Sequence, residues 1–257
     1  MLNLLKADLR MFLRMRFVHI LLLLCITFTV LGMLLLRLHV ADLSIIGIDA
    51  NGYALLVNSY HPNNNVGLLI GIMACKLTSQ EFAFGTIRNK IISGHKRWHV
   101  YLSLSLSLGI VASFFFIINV VLNGLLGSFI LNYGRPWSRT ELHHLIEMTG
   151  VALVLFLLFI LLAIFISTLM RSAGLSIVVY FFTVLSLDFS FVLADRVSGQ
   201  NPFIQDLFSF IPLYQLYRII SEGYSRSIAI KVLLISPFYY LLFLLIGMFF
   251  FERRDIK

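Results

Sequence analysis

Residues 148–170 read MTGVALVLFLLFILLAIFISTLM, a run of 23 residues without one charged side chain. A helix of that length rises about 35 Å, which is enough to cross the roughly 30 Å hydrocarbon core of a bilayer. An uncharged run of 18 or more apolar residues is the usual signature of a transmembrane helix. This stretch therefore predicts an integral membrane protein.

Five further apolar segments surround this span. We predict spans at about 17–36, 62–79, 100–133, 148–170, 172–194 and 232–251. The second apolar run, 66–77, is short enough to be re-entrant and contains Lys76. It becomes a span if the helix begins near Pro62, a favoured first-turn residue, and if Lys76 reaches the interface. The predicted fold class is an all-α integral membrane protein, with six transmembrane helices in a domain covering residues 17–257.

Composition and charge agree with a membrane location. Of the 257 residues, 60% are hydrophobic and 12% are charged, and the mean hydropathy is +0.94, which excludes a water-soluble enzyme. Six spans place both termini on one side, and 13 of the 20 Lys and Arg residues fall on that side. The positive-inside rule puts both termini in the cytoplasm. The net charge of +8 is thereby explained without nucleic-acid binding.

Residues 1–16 form a separate segment before the first span. Apolar residues recur at helical spacing while Lys6, Arg10 and Arg14 occupy a different stripe. This pattern predicts an amphipathic helix in the inner headgroup plane. A plain cytoplasmic extension of the first span is the alternative. The apolar stripe consists of Leu2, Leu5, Leu9, Phe12 and Leu13.

Two segments are predicted on the outer side. Residues 37–65 have the composition of a turn-rich linker. Residues 195–231, between spans five and six, are dense in apolar and aromatic residues and predict short outer helices forming a plug or lid. Those residues are Pro202, Phe203, Leu207, Phe208, Phe210, Ile211, Pro212, Tyr214 and Tyr217.

The loop between spans two and three, residues 79–101, reads SQEFAFGTIRNKIISGHKRWHVY. It predicts a short helix with Glu81 at one end, a Gly-Thr pair, a basic stretch, and Gly94, which can stop a helix before the third span. Because membrane helices fix both ends, such a segment can present one face to a cytoplasmic partner. A basic loop that only sets topology would give the same charge pattern.

The polar and small residues within the spans each have two possible roles. Asn119 and Asn123 share one face of span three, where they either hydrogen-bond between helices or line a translocation path. Gly67 and Gly71 permit close helix approach in span two, at a dimer interface or in packing within the chain. Near the outer end of span five, Asp188 either reaches the interface or pairs with Arg196.

Several chemistries find no support in the sequence. The chain has no Gly-x-x-x-x-Gly-Lys-Ser/Thr phosphate loop, so we expect no ATP hydrolysis and no cofactor in this chain. His143, His144 and Glu147 have part of a metal-site spacing, but we expect a solvated helix start and no metal. Cys25 and Cys75 lie in separate apolar runs and build neither a disulfide framework nor a thiolate site.

The loop between spans two and three resembles the signature of type-2 permeases of ATP-binding-cassette (ABC) transporters. In that family a Glu, a Gly-Thr pair four residues later, then a Gly or Pro and an Arg three residues beyond it precede the third span. The ending FERRDI, residues 251–256, is also similar to the close of such permeases. The resemblance implies a coupling helix near residues 81–92, seated in a groove of an ATPase subunit, and a connecting helix at residues 1–16. The implied coupling residues are Glu81, Phe82, Phe84, Gly85, Thr86, Arg88, Gly94 and Arg97.

The same resemblance implies a function. The chain would be the membrane subunit of an ATP-driven exporter, paired with an identical or a second permease and with cytoplasmic ATPase subunits that bind ATP and Mg. Similar small permeases in the bacterial plasma membrane serve export of, or immunity to, amphipathic peptides such as lantibiotics, bacitracin and phenol-soluble modulins. Others move drugs, lipids or polysaccharide.

Two other classes remain open on the sequence. A secondary transporter would work without an ATPase subunit. A membrane enzyme would need catalytic groups near the interface, and the one cytoplasmic cluster rich enough is His95, His99, Glu81 and Arg97.

Overall fold

The computed structural model describes residues 1–45, 51–134, 136, 138–170, 172–198, 208–221 and 225–253. Within these ranges there is no strand. Ten helices are described in full: α1 Leu2–Arg14, α2 Arg16–Ile45, α3 Gly52–Asn58, α4 Asn65–Ala83, α5 Thr86–Ile92, α6 Arg97–Leu131, α7 Arg139–Met170, α8 Ala173–Ser198, α9 Pro212–Ser221 and α10 Arg226–Glu252. Six of them, α2, α4, α6, α7, α8 and α10, are long and apolar enough to cross a membrane. The predicted all-α, six-helix architecture is confirmed.

The six long helices alternate in direction, so α1 and the C-terminal end of α10 lie at one end of the bundle. We call this the proximal end; there the guanidinium of Arg97 donates a hydrogen bond of 2.7 Å to the backbone carbonyl of Glu252. Lys76 also lies there, its ammonium 3.7 Å from the ring centroid of Phe17. The opposite, distal end carries the contact between His61 and Asp188.

The core of the bundle is formed by α4, α6 and α7, each more than half buried, whereas α2, α8 and α10 are less than one-third buried. Close packing of α4 against α8 depends on Gly71, because a Cβ atom there would fall on the ring of Tyr180. A Cβ atom at Gly67 would meet the backbone carbonyls of His61 and Pro62. Both glycines are therefore used in packing within the chain.

The start of α4 differs from the prediction. The helix begins at Asn65, and Pro62 lies in the preceding turn. The Asn64 side chain accepts a hydrogen bond of 2.5 Å from the backbone amide of Gly67 and so caps the helix. An asparagine cap satisfies an amide that the first turn leaves free, which outweighs the preference of proline for the first turn.

The predicted linker at 37–65 is also corrected, because α2 continues to Ile45 and residues 52–58 form the helix α3. The Asn51 side chain caps α3, and the backbone amides of Gly52 and Tyr53 donate to the carbonyls of Asn132 and Tyr133 at 2.8 and 3.1 Å. These bonds dock α3 beside the distal end of α6.

The first helix is separate from α2, because Met15 has an extended backbone that ends α1. Its buried face is Leu4, Asp8 and Phe12, and it packs against α6. Leu2 and Leu13 of the predicted apolar stripe lie on the exposed side of the helix. The break at Met15 divides residues 1–45 into two helices.

At the distal end, the partners of Asp188 differ from the predicted one. Asp188 contacts His61 at 3.1 Å and accepts a hydrogen bond of 2.8 Å from the Asn63 side chain, so its partners are these residues and not Arg196. Between α8 and α10 the structure describes α9, in which Tyr214 is buried against Phe191. Pro202, Phe203 and Leu207 of the predicted plug and residues 254–256 of the ending lie outside the described residues.

Candidate functional site

The loop between α4 and α6 folds as a short helix held between two glycine turns. Gly85 (φ +65°) follows the end of α4, and Gly94 (φ +90°) follows the end of α5. Both conformations are left-handed and favour glycine over residues with a Cβ atom. The seven residues of α5 are thereby fixed directly to the proximal ends of two long helices.

Two buried carboxylates and one ammonium lie beneath α5. The Lys90 Nζ atom is 2.7 Å from a carboxylate oxygen of Asp8 and 2.6 Å from one of Glu81. The side chains of Asp8 and Glu81 are only 1% and 2% exposed, and Lys90 is 14% exposed. We call Asp8, Glu81 and Lys90 the proximal ion cluster.

Two hydroxyl groups complete the hydrogen bonding of this cluster. Ser103 donates to the second carboxylate oxygen of Asp8 at 2.7 Å. Thr86 donates to Glu81 at 2.8 Å and contacts the backbone carbonyl of the same residue at 2.9 Å. Because Asp8, Glu81, Lys90 and Ser103 belong to α1, α4, α5 and α6, the cluster connects four helices. Buried charges are tolerated when they are paired and hydrogen-bonded in this way.

The opposite side of α5 is exposed. Arg88 and Ile92 lie four residues apart on α5, and Phe84 lies in the turn just before Gly85; all three are exposed, the two apolar side chains to 69% and 72%. We call these three residues the α5 ridge. A large apolar side chain at each end of a cation is a surface that a protein groove can bury.

The coupling residues expected from the sequence divide into four groups. Phe84 and Arg88 are exposed on the ridge, whereas Glu81 and Thr86 bond to the chain itself beneath it. Gly85 and Gly94 supply the turns. Phe82 packs against Phe251, with ring centroids 6.0 Å apart, and Arg97 bonds to Glu252; these two residues join the loop to the end of α10. Glu81 therefore lies inside the protein and not on its surface.

The side chains suggested as catalytic groups of an enzyme contact different partners. The Glu81 carboxylate lies with Lys90 and Thr86, and Arg97 lies with Glu252. The His99 ring contacts Trp98, with centroids 3.8 Å apart. At the distal end, Glu147 lies 3.5 Å from Arg226. Within the described residues, no group of three His, Cys, Asp or Glu side chains is placed to hold a metal ion.

Asn119 and Asn123 lie together near the distal end of α6. The Asn119 carboxamide oxygen accepts from Thr29 of α2 at 3.3 Å and from the Asn123 side chain at 2.9 Å. The Asn119 amide donates to the backbone carbonyl of Ser59 at 3.3 Å. Asn119 therefore makes interhelical hydrogen bonds, and both asparagines also line a cavity.

Sequence reasoning did not identify Asp8, Lys90 or Ser103 as a group. One signal was present: Asp8 lies four residues from both Leu4 and Phe12, on the face of α1 that proves to be buried. An acid on the apolar face of a helix requires a partner, and Lys90 supplies it.

The sequence matches no protein-family model and no curated protein. A functional assignment therefore rests on the residues and the geometry described above.

Proposed function

We propose that the chain is the membrane-spanning permease subunit of an ATP-driven exporter of the ABC type. It works as a homodimer or with a second permease, and ATPase subunits at the proximal end bind ATP and Mg. The proposal is supported by one observation above all: the exposed α5 ridge lies on α5 and the turn before it, a segment that is fixed between two long apolar helices. A loop that only set topology would need neither the ridge nor the buried ion cluster.

The proximal ion cluster supplies the mechanical connection. A force on the α5 ridge reaches α4 through the Lys90 contact with Glu81, and α1 through its contact with Asp8. It reaches α6 through the Gly94 turn and through Asp8 and Ser103. Movement of ATPase subunits against the ridge would thus tilt several long helices together and change access to the transport path.

The orientation and the cargo belong to the same proposal. The proximal end faces the cytoplasm of a bacterium, as the excess of Lys and Arg on that side supports. The cargo is an amphipathic or antimicrobial peptide moved outward, in export or in self-protection, as the resemblance of the loop implies. This chain is a transport subunit, and hydrolysis takes place on its partner.

The test uses the full chain, affinity-purified in mild detergent from its native cells. We expect the wild-type chain to bring with it a protein that carries a phosphate loop, together with vanadate-sensitive ATP hydrolysis. The double variant Phe84→Asp and Arg88→Glu should lose at least nine-tenths of that hydrolysis, because it reverses the chemistry of the ridge. Arg14→Glu, an exposed cation on α1 at the same end, is the matched control.

Two results would contradict the proposal. One is retention of the ATPase by the double ridge variant. The other is flux driven by a proton or sodium gradient in vesicles that contain this chain alone, which would indicate a secondary transporter.

A further inference from the structure

A cavity of about 180 Å³ lies at the distal end between α2, α3, α4 and α6. Four of its polar residues, Thr29, Asn65, Asn119 and Asn123, belong to helices that can span the membrane. Polar groups at such positions are expensive unless they meet protein, water or a ligand. The polar part of the lining consists of Thr29, Asn58, Ser59, Asn64, Asn65, Asn119 and Asn123.

These polar side chains differ in how many of their donors and acceptors are hydrogen-bonded. Asn119 is 4% exposed and bonds to Thr29, Ser59 and Asn123, so it holds the wall of the cavity together. The amide of Asn123 donates to Asn119, but within the described residues its carboxamide oxygen accepts no hydrogen bond. The side chain of Asn65 likewise makes no hydrogen bond to the described residues. The cavity therefore retains amide groups with free bonding capacity.

The lining also defines the kind of ligand. None of its side chains is ionisable, so a charged group would enter without a counter-charge, at high energetic cost. A carboxamide offers both a donor and an acceptor, which matches the N–H and C=O of another amide. The remaining lining, including Met33, Leu36 and Leu55, is apolar. The volume is below the usual size of a complete ligand pocket, as expected for a subsite that holds one part of a longer molecule.

From these observations we infer that the distal cavity is a binding subsite for an uncharged amide carried on an apolar chain, namely a backbone segment of an apolar or amphipathic peptide. The inference rests on the proposed function in taking a peptide as the cargo. The position suits such a ligand, since α2 is a peripheral helix and the cavity lies beside it. A peptide at the membrane interface could therefore reach the cavity without crossing the core of the bundle.

Gly32 allows a test that leaves the hydrogen bonds intact. It lines the cavity, and a Cβ atom placed on it meets no heavy atom within 4 Å. Gly32→Leu therefore adds an apolar side chain to the cavity lining with no clash at its Cβ atom, and leucine is also a better helix former than glycine. Gly174 has the same open surroundings in α8 near the proximal end, so Gly174→Leu is the matched control.

The assay measures binding of N-acetyl-leucinamide to the full chain, without ATPase or ATP, in phosphatidylcholine nanodiscs by saturation-transfer NMR. We expect binding to the wild type and to Gly174→Leu, and its loss in Gly32→Leu. Asn123→Leu should weaken binding about tenfold through the lost hydrogen bond. Free leucine, which is zwitterionic, should not compete.

Three outcomes would overturn the inference: equal binding to wild type and Gly32→Leu, no binding to the wild type, or equal competition by free leucine. If N-methyl-dodecanamide binds and N-acetyl-leucinamide does not, the amide comes from a lipid and the peptide assignment is wrong. Because no ATPase is present, the result is independent of the ridge experiment. Binding can fail while coupling holds, and coupling can fail while binding holds.

Discussion

Replacing Lys90 with methionine tests the proximal ion cluster directly. Methionine keeps an unbranched stem of similar length but removes the ammonium that lies within 2.7 Å of both Asp8 and Glu81. The two carboxylates, 1% and 2% exposed, then face each other inside the protein without a counter-charge. Their hydroxyl partners Ser103 and Thr86 remain, but neither carries a positive charge.

The expected loss of stability is large. Removing one partner from a buried ion pair typically costs about 3–5 kcal/mol, because the remaining charge stays desolvated. We expect Lys90→Met to lie in that range. Arg88→Met is the matched control, since Arg88 lies on the exposed side of the same helix. An exposed substitution of this kind changes the free energy of unfolding by about 0.5 kcal/mol or less.

The measurement is equilibrium unfolding of the purified chain in mixed micelles, with a further variant that removes all three charges. Asp8→Asn, Glu81→Gln and Lys90→Met together keep hydrogen-bonding groups and leave no buried charge, so this triple variant should regain at least half of the lost free energy. The reasoning is refuted if Lys90→Met is no more destabilising than Arg88→Met. It is equally refuted if the triple variant is less stable than Lys90→Met.

Three further predictions concern single positions. Gly85→Ala should destabilise the chain by roughly 1–2 kcal/mol in the same unfolding assay, because φ is +65°, and Gly85→Asn should cost less. Gly71→Ala should cost about 1–3 kcal/mol by pushing into Tyr180, and Tyr180→Leu in the same chain should recover part of that, which a double-mutant cycle measures. Asp188→Ala should cost less than about 1 kcal/mol, since its pair with His61 is partly exposed; a loss comparable to that of Lys90→Met would show that the distal pair is as important as the proximal ion cluster.

The long helices could be predicted from the sequence because the bilayer imposes a length that needs no knowledge of neighbours. Twenty or so uncharged apolar residues suffice, as at residues 148–170. The helix α3 could not be found in this way. It begins within an Asn51-Gly52 pair, a signal typical of a turn. Its docking depends on Gly52 lying against Gly127, where a Cβ atom would come within 2.7 Å of the backbone. Such a close approach is a property of the tertiary structure.

The candidate site was predictable as a location but not as a mechanism. The left-handed turns could be predicted, because Gly85 and Gly94 are visible in the local sequence and glycine favours that conformation. The burial of Glu81 could not be predicted from the sequence. Its partner Lys90 belongs to a basic stretch, and counting charges explains such a stretch by membrane topology alone. Asp8 is more than 80 positions away from Lys90 in the chain, and only the packing of α1 on α6 brings them together. Charge counting alone cannot tell a paired internal lysine from an exposed one.

The two sides of α5 therefore have separate roles. A helix of seven residues is not stable alone, so α5 must take its stability from the protein. It does so through Ile87, which is 1% exposed, through Lys90, and through the glycine turns at its ends. The α5 ridge contributes little to that stability because Phe84, Arg88 and Ile92 lie on the exposed side. Since different residues carry stability and surface chemistry, substitutions on the ridge should alter partner binding in a folded protein, whereas substitutions in the ion cluster should unfold it. Loss of the ATPase in a ridge variant with wild-type stability can then be attributed to the surface itself.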